Sequence, residues 1–198
     1  MQTVSHNNLR PFCLVEDELL QTDFSDVDMH DPNCVLVGLA PSKFNYERLN
    51  DAFRLLLKLK EVQGQTENSK PRLIAIHRGT HFRDSDQQLS IGPGGFVTLL
   101  EQTTGETAHI VGKPSPVFYQ AALSSLGVDD ASYAVMIGDD VVGDVKGALD
   151  AGLGSAILVK TGKYVEGDES GEKTGGVLPT LTADSIVEAV DYICSTLE

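Results

Sequence analysis

Three aspartates and one lysine carry the chemistry open to this sequence. Asp139 and Asp140 are adjacent, and Asp144 follows within Gly138-Asp139-Asp140-Val141-Val142-Gly143-Asp144. Clustered carboxylates repel one another, and a hard cation such as Mg²⁺ relieves that repulsion while suiting phosphate chemistry. Lys113 stands in Gly112-Lys113-Pro114-Ser115-Pro116, where its ammonium would offset phosphate charge beside a helix N-terminus. A metal carboxylate set with one lysine makes half of a phosphoryl-transfer site; its other half, an aspartate nucleophile on a preceding strand, is not found among these 198 residues. The plainer alternative is a solvated acidic loop in which one aspartate caps a helix. It accounts for one aspartate and leaves adjacent acids after an apolar run unexplained.

That run, Ala134-Val135-Met136-Ile137, predicts a buried parallel strand ending at the acids. In open α/β sheets the carboxyl ends of strands are where ligands bind. Further strands are predicted at 12–15, 34–39, 73–76, 109–111 and 156–159. Asn45 is expected to cap a helix reaching about residue 60, with Leu49, Ala52, Phe53 and Leu56 on its buried face. Phe96, Leu99 and Leu100 begin a second helix that ends near Gly105. Ser115 as N-cap and Pro116 at the first helical position open a third, closed by Gly127. Val145, Ala148 and Leu149 mark a short helix after the acids. Ile186, Ala189, Val190, Ile193 and Leu197 mark a closing one. Residues 16–31, 61–71 and 164–179 read as loops, the first and last of them acidic. The alternation predicts an α/β fold with parallel sheets and a boundary near residues 106–112.

Lys and Arg number 15 against 29 Asp and Glu, a net charge of −14. This argues against nucleic acid and against anionic membrane surfaces as partners. No apolar run approaches the roughly 18 residues of a membrane span, and the first twelve residues are too polar for a signal peptide. Cys13, Cys34 and Cys194 are far apart and odd in number. They are expected to be buried free thiols of a reducing, cytoplasmic setting. His77 and His81 have a spacing that binds zinc on helices, but Gly79 lies between them and the pattern is strand then loop. A loop that contacts substrate through His77, Arg78 and His81 is the functional alternative. Thr161-Gly162-Lys163 lacks the rest of a P-loop and reads as a turn after a strand.

The segments VGKPSP, VMIGDDVVGD and ILVKTGKY, in that order and spacing, resemble the haloacid dehalogenase (HAD) superfamily, in the subfamily IIA phosphatases. The resemblance runs from about Leu9 to the C-terminus and takes in LRPF, NCVLVGLAP, LIAIHRGTHFRD and IGPGGFVTLLEQTTG. It implies a HAD-like fold, with a Rossmann-like parallel core and an inserted α/β cap. By that analogy residues 1–8 are a remnant, 9–108 the cap and 109–198 the second half of the core. Lys113 matches the lysine that steadies the nucleophile and the transferring phosphoryl group. Asp139 matches an acid that helps bind Mg²⁺, Asp144 one that supports the site, and Asp140 is a nearby second carboxylate. His77, Arg78 and His81 match the cap region that usually faces the leaving group.

The resemblance further implies Mg²⁺-dependent hydrolysis of a phosphorylated small molecule or phosphoamino acid through a phospho-aspartyl intermediate. A homodimer formed through the cap is compatible with it. The family's first motif, Asp-x-Asp-Gly-[Thr/Val], supplies nucleophile and general acid/base. Asp26-Val27-Asp28 runs on into Met-His-Asp, and Asp84-Ser85-Asp86 into Gln-Gln-Leu, so neither matches. The second motif, a Ser or Thr after another core strand, has no match either. The expectation is a truncated chain that begins at the cap and is inactive alone, with strands 134–137 and 156–159 exposing apolar edges. The alternative from another class is a non-catalytic partial fold that binds or regulates. A receiver-type phosphoacceptor domain is disfavoured, since there the acid pair precedes the lysine.

Overall fold

Strand alternation explains most of the architecture. A computed structural model describes residues 8–63, 70–86 and 88–196, so most of the expected remnant, the centre of the 61–71 loop and Leu197 lie outside the described residues. The chain divides into two units, Met1–Val111 and Gly112–Glu198. The architecture is α/β, matching a HAD-like Rossmann core with additional cap elements.

In the first unit, β1 (Pro11–Leu14), β2 (Cys34–Val37), β3 (Leu73–Ala75) and β6 (His109–Ile110) form a four-stranded sheet. All its pairings are parallel. Leu14, Val35, Val37, Leu73 and Ala75 bury one face of the sheet. Against them pack Ala52 and Leu56 of α2 (Tyr46–Gln63) and Val97 and Leu100 of α3 (Gly94–Thr104). The intervening residues Cys13, Val15, Cys34, Leu36 and Ile74 bury the other face with Leu9 and Phe24. This period of two is that of a strand whose successive side chains point to opposite faces. Asn45 caps α2 as expected, its side-chain oxygen accepting the Arg48 N–H at 3.0 Å. Two features depart from the sequence pattern. The acidic 16–31 stretch contains a short helix, α1 (Asp17–Gln21), and β4 (His81–Arg83) pairs with β5 (Leu89–Ile91) as an antiparallel hairpin.

In the second unit the sheet runs β7 (Val135–Gly138), β8 (Ser155–Val159), β9 (Leu181–Ala183), again parallel. Ala156 and Leu158 of β8 pack with Tyr119 of α4 (Pro116–Leu126), and with Val141, Val145 and Ala148. Val141 and Val145 lie on a wide, π-type helical turn, Val141–Lys146, that runs into α5 (Gly147–Asp150), which carries Ala148. Ile157 and Val159 face the other way, toward Ala183 of β9 and Ala189 of α6 (Ile186–Thr196). Full burial of a side chain such as Leu158 contributes roughly 1.5–3 kcal/mol.

Two expectations about this sheet need correction. The strand before the acids is not buried throughout: Val135 is exposed and the rest of β7 is half-buried, because among the described residues β7 pairs only with β8. Strand β8 has no exposed edge, because β9 lies against its far side. The Thr180 N–H and hydroxyl both bond to the backbone of Ala156 and lead the chain into that register. The cysteines are free. Cys13 and Cys34 are buried, and burial pushes their thiols up to about 11 and about 12. Cys194 is exposed, contrary to expectation, since it lies on the outer side of α6.

Candidate active site

Asp139 is the first residue beyond β7, and the chain turns immediately into a helix. Asp140 takes the N-cap position with φ −106° and ψ 103°. Its Oδ1 accepts the Val142 N–H at 3.2 Å and the Gly143 N–H at 2.8 Å, two of the donors that a helix start leaves unpaired. Capping, the plain alternative, therefore accounts for Asp140. Asp144 lies in the first turn and points back toward the strand. It is 3% exposed, so its charge needs partners. Oδ2 accepts the Asp140 N–H at 3.1 Å, and Oδ1 accepts from Lys113 Nζ at 2.6 Å. Lys113 thus stands at the acid motif although 31 residues separate it from Asp144.

Glycine at 138 makes that arrangement possible. A β-carbon there would stand 2.1 Å from Asp144 Oδ2, well inside van der Waals contact. The turn itself is wide, with the Asp140 carbonyl accepting from both Asp144 and Val145 N–H groups. The buried Tyr119 hydroxyl donates to the Gly143 carbonyl and closes the turn from the α4 side. Burial, with the charges of Asp144 and Asp140 added, raises the Tyr119 phenol above its ordinary value. Ser115 occupies the N-cap of α4 as predicted, with extended backbone and Pro116 next, but its side chain makes no capping hydrogen bond.

A second lysine stands at the acids. After β8 the chain turns at 161–164, and Lys163 donates its backbone N–H to Asp139 Oδ2 at 3.1 Å and its ammonium to Asp140 Oδ2 at 3.0 Å. The hydrogen bond to Asp140 raises the Lys163 ammonium above its ordinary value, against burial and with help from the charges of Asp140, Asp139 and Asp144. For Asp140 burial works upward, but the Gly143 N–H, the Lys163 ammonium and the Val142 N–H outweigh it and hold the carboxyl below its usual range. Gly162 permits the approach: its φ is +42°, and a β-carbon would lie 2.0 Å from Asp139 Oδ2.

Asp139, Asp140, Asp144 and Lys113 therefore meet around the carboxyl end of β7. Among the described residues, however, no three His, Cys, Asp or Glu side chains form a group able to hold a metal ion. Both oxygens of Asp140 and both of Asp144 are engaged, whereas Asp139 Oδ1 accepts no hydrogen bond among the described residues. Carboxylate oxygens suit Mg²⁺ in kind, and the Oδ1 of Asp139 is the one oxygen of the three carboxylates left open among the described residues.

His77, Arg78 and His81 belong to the first unit. Arg78 binds Glu101 through a 2.6 Å ion pair, and the Gly79 N–H donates to His77 Nδ1 at 3.1 Å. His81 Nδ1 lies 3.1 Å from the Thr80 hydroxyl. The loop is pinned from behind: Gly92 and Gly94 donate to the carbonyls of Thr80 and Gly79, each at 2.9 Å. The Arg78 guanidinium thus fixes its loop to α3.

A family model described as HAD-hydrolase-like matches residues 110–189, the stretch that carries all four site residues. Haloacid dehalogenase-like hydrolase domain-containing protein 2 of Rattus norvegicus is 44% identical over 194 residues, covering 98% of this chain and 68% of that protein. The chain belongs to the haloacid dehalogenase superfamily. Phospholysine phosphohistidine inorganic pyrophosphate phosphatase of the same organism is 36% identical over 197 residues, covering 100% of this chain and 67% of that one. Among solved structures, 4-nitrophenylphosphatase from Thermotoga maritima superposes with a TM-score of 0.74 at 26% identity, over 92% of this chain and 65% of that one. These HAD relatives are consistent with subfamily IIA. The chain spans about two thirds of the length of the relatives it matches. Lys163, Gly162 and Tyr119 were not singled out from the sequence as site residues. Gly162 and Lys163 lie in ILVKTGKY, one of the segments that carry the resemblance, but Thr161-Gly162-Lys163 reads there as a turn after a strand. Among the described residues, no helix is long and apolar enough to cross a membrane.

Proposed function

We propose that this chain carries the lysine-and-acid half of a Mg²⁺-dependent HAD phosphatase site, acting on a phosphate monoester of a small molecule or phosphoamino acid. The observation that carries the reading is the ion pair between Lys113 and the buried Asp144, beside the open carboxylate of Asp139. Asp144 fixes the ammonium of Lys113, whose remaining N–H bonds and charge are then available to a phosphoryl oxygen. Asp139 would hold Mg²⁺, with Asp144 and Asp140 in support. When bound, the ion would offset phosphoryl charge. Asp140 holds the helix start that sets the direction of Asp144. His77, Arg78 and His81 are proposed as substrate-contacting residues of the cap, residues 9–108, with 109–198 as the second half of the core. The acidic net charge and the free cysteines favour a cytoplasmic setting without nucleic-acid or membrane partners.

No Asp-x-Asp-Gly-[Thr/Val] segment occurs among these 198 residues, so they are read as lacking the nucleophile that such a reaction needs. The test therefore joins them to the part of the rat domain-containing protein 2 that lies outside the match. That chimera is expected to hydrolyse 4-nitrophenyl phosphate with Mg²⁺ and to lose activity by about 10²-fold or more with Lys113→Ala or Asp139→Ala. The 198 residues alone are expected to show no turnover. Activity of the chimera that is indifferent to both substitutions would remove these residues from the site.

A further inference from the structure

We propose that Lys163 is a positioning residue of the strand-end acids. Its ammonium balances Asp139 and Asp140 when no divalent cation does so, and a divalent cation must bind against it. The inference rests on reading Asp139 as the Mg²⁺ carboxylate. Three observations carry it.

First, Lys163 contacts both adjacent acids through different groups, its backbone N–H on Asp139 and its ammonium on Asp140. The first contact fixes where the lysine backbone lies; the second places a unit positive charge on Asp140, next to the acid that would otherwise repel it. Second, the turn is shaped for this approach. Gly162 has a left-handed φ of +42°, and its missing β-carbon is the space that Asp139 Oδ2 fills, while the Tyr164 N–H closes the turn onto the Thr161 carbonyl at 2.8 Å. Third, the acids have few other cations. Lys113, the other lysine at the site, is committed to Asp144 at 2.6 Å, so the charges of Asp139 and Asp140 fall to Lys163. Its side chain is 66% exposed, so the ammonium can swing away without disturbing the core, as a displaceable counter-ion must.

Removing the ammonium leaves the backbone N–H in place and isolates the charge. With that charge gone, the uncompensated acids should attract a divalent cation more strongly, by about tenfold for a unit charge a few ångströms away near a protein surface. The experiment is thermal unfolding of the full 198-residue chain in EDTA and across a MgCl₂ series at constant ionic strength, which holds general screening fixed. Wild type, Lys163→Met, Lys163→Arg, Asp139→Asn and the Lys163→Met/Asp139→Asn pair are compared, with far-UV circular dichroism to confirm folding. Lys163→Met is expected to melt below wild type in EDTA and to reach half of its Mg²⁺-induced rise at about tenfold lower Mg²⁺. Lys163→Arg, which keeps the charge, should follow wild type, and Asp139→Asn should cancel the gain. Superimposable Mg²⁺ curves for wild type and Lys163→Met, both abolished by Asp139→Asn, would overturn the role of Lys163 and leave the acid site standing. Curves that respond to Mg²⁺ in no variant would overturn both.

Discussion

Lys113→Met is expected to destabilise the second unit by about 2–3 kcal/mol. The reason is Asp144 rather than the lysine itself. Asp144 is 3% exposed and holds its charge through the Lys113 ammonium at 2.6 Å and the Asp140 N–H at 3.1 Å. Taking away one partner of a buried pair leaves the other charged, desolvated and poorly compensated, at roughly 3–5 kcal/mol for a fully buried pair. Lys113 is 39% exposed, so water can replace part of what it supplies, and the lower figure follows. Urea unfolding of the two chains measures the difference. Adding Asp144→Asn to Lys113→Met should recover part of the loss, because the orphaned charge is then gone. A loss below about 0.5 kcal/mol, the range of ordinary surface substitutions, would mean that the pair is not formed in solution.

Gly138→Ala should be more damaging still, about 4 kcal/mol, because overpacking and the loss of a buried ion pair act together. The added methyl would stand 2.1 Å from Asp144 Oδ2, 2.3 Å from its Cγ and 2.6 Å from its Cβ. No rotamer of Asp144 relieves the last of these, so the side chain must leave its seat and Lys113 with it. Glycine at this position is thus required by the neighbouring acid, not by backbone conformation. The mechanism has a specific signature in a double-mutant cycle. In an Asp144→Gly background the obstructing atoms are absent, and Gly138→Ala should add little further loss. Equal losses in both backgrounds would place the damage elsewhere in β7.

The site was legible in the sequence to the extent that its chemistry is local. Asp139, Asp140 and Asp144 lie within one strand-to-helix turn, and an apolar run followed by acids is a pattern that a single segment carries. Lys113 was readable because Gly-Lys-Pro-Ser-Pro opens a Pro-started helix, where a lysine can meet an anion; the strand before it, β6, pairs in the first unit's sheet and not in that of β7. Lys163 was not, because its role depends on how the 161–164 turn folds back over β7, and nothing in Thr-Gly-Lys specifies the partner. The division of labour among the acids was hidden for a related reason. A cap, a lysine partner and an open carboxylate have the same residue type and differ only in hydrogen bonds.

The elements show the same contrast. The helices 46–63, 94–104 and 116–126 were visible from apolar spacing and from the cap and glycine signals at their ends. Two of those glycines, Gly105 and Gly127, have the left-handed conformation that ends a helix, with φ of 69° and 68°. Strand β9 was missed because Leu181-Thr182-Ala183 is three residues long and shows too little alternation to register. The hairpin β4–β5 was missed because Leu89 and Ile91, 66% and 73% exposed, give apolar alternation no buried face to report. The exposure of Val135 could not be read from composition, since an apolar run describes a strand and not how many neighbours it has.

Asp139 is proposed above as the open carboxylate that takes Mg²⁺. Calorimetric titration of Mg²⁺ into the purified 198-residue chain, with Asp139→Asn beside it, tests this most directly. Mg²⁺ demands near-ideal octahedral geometry, and one free carboxylate with hydrogen-bonded neighbours fixes few of its ligands. Binding much weaker than micromolar, which disappears in Asp139→Asn, is the expected result. Micromolar or tighter binding lost in Asp139→Asn would show a complete site, and binding that survives Asp139→Asn unchanged would place the ion elsewhere; either result contradicts the account.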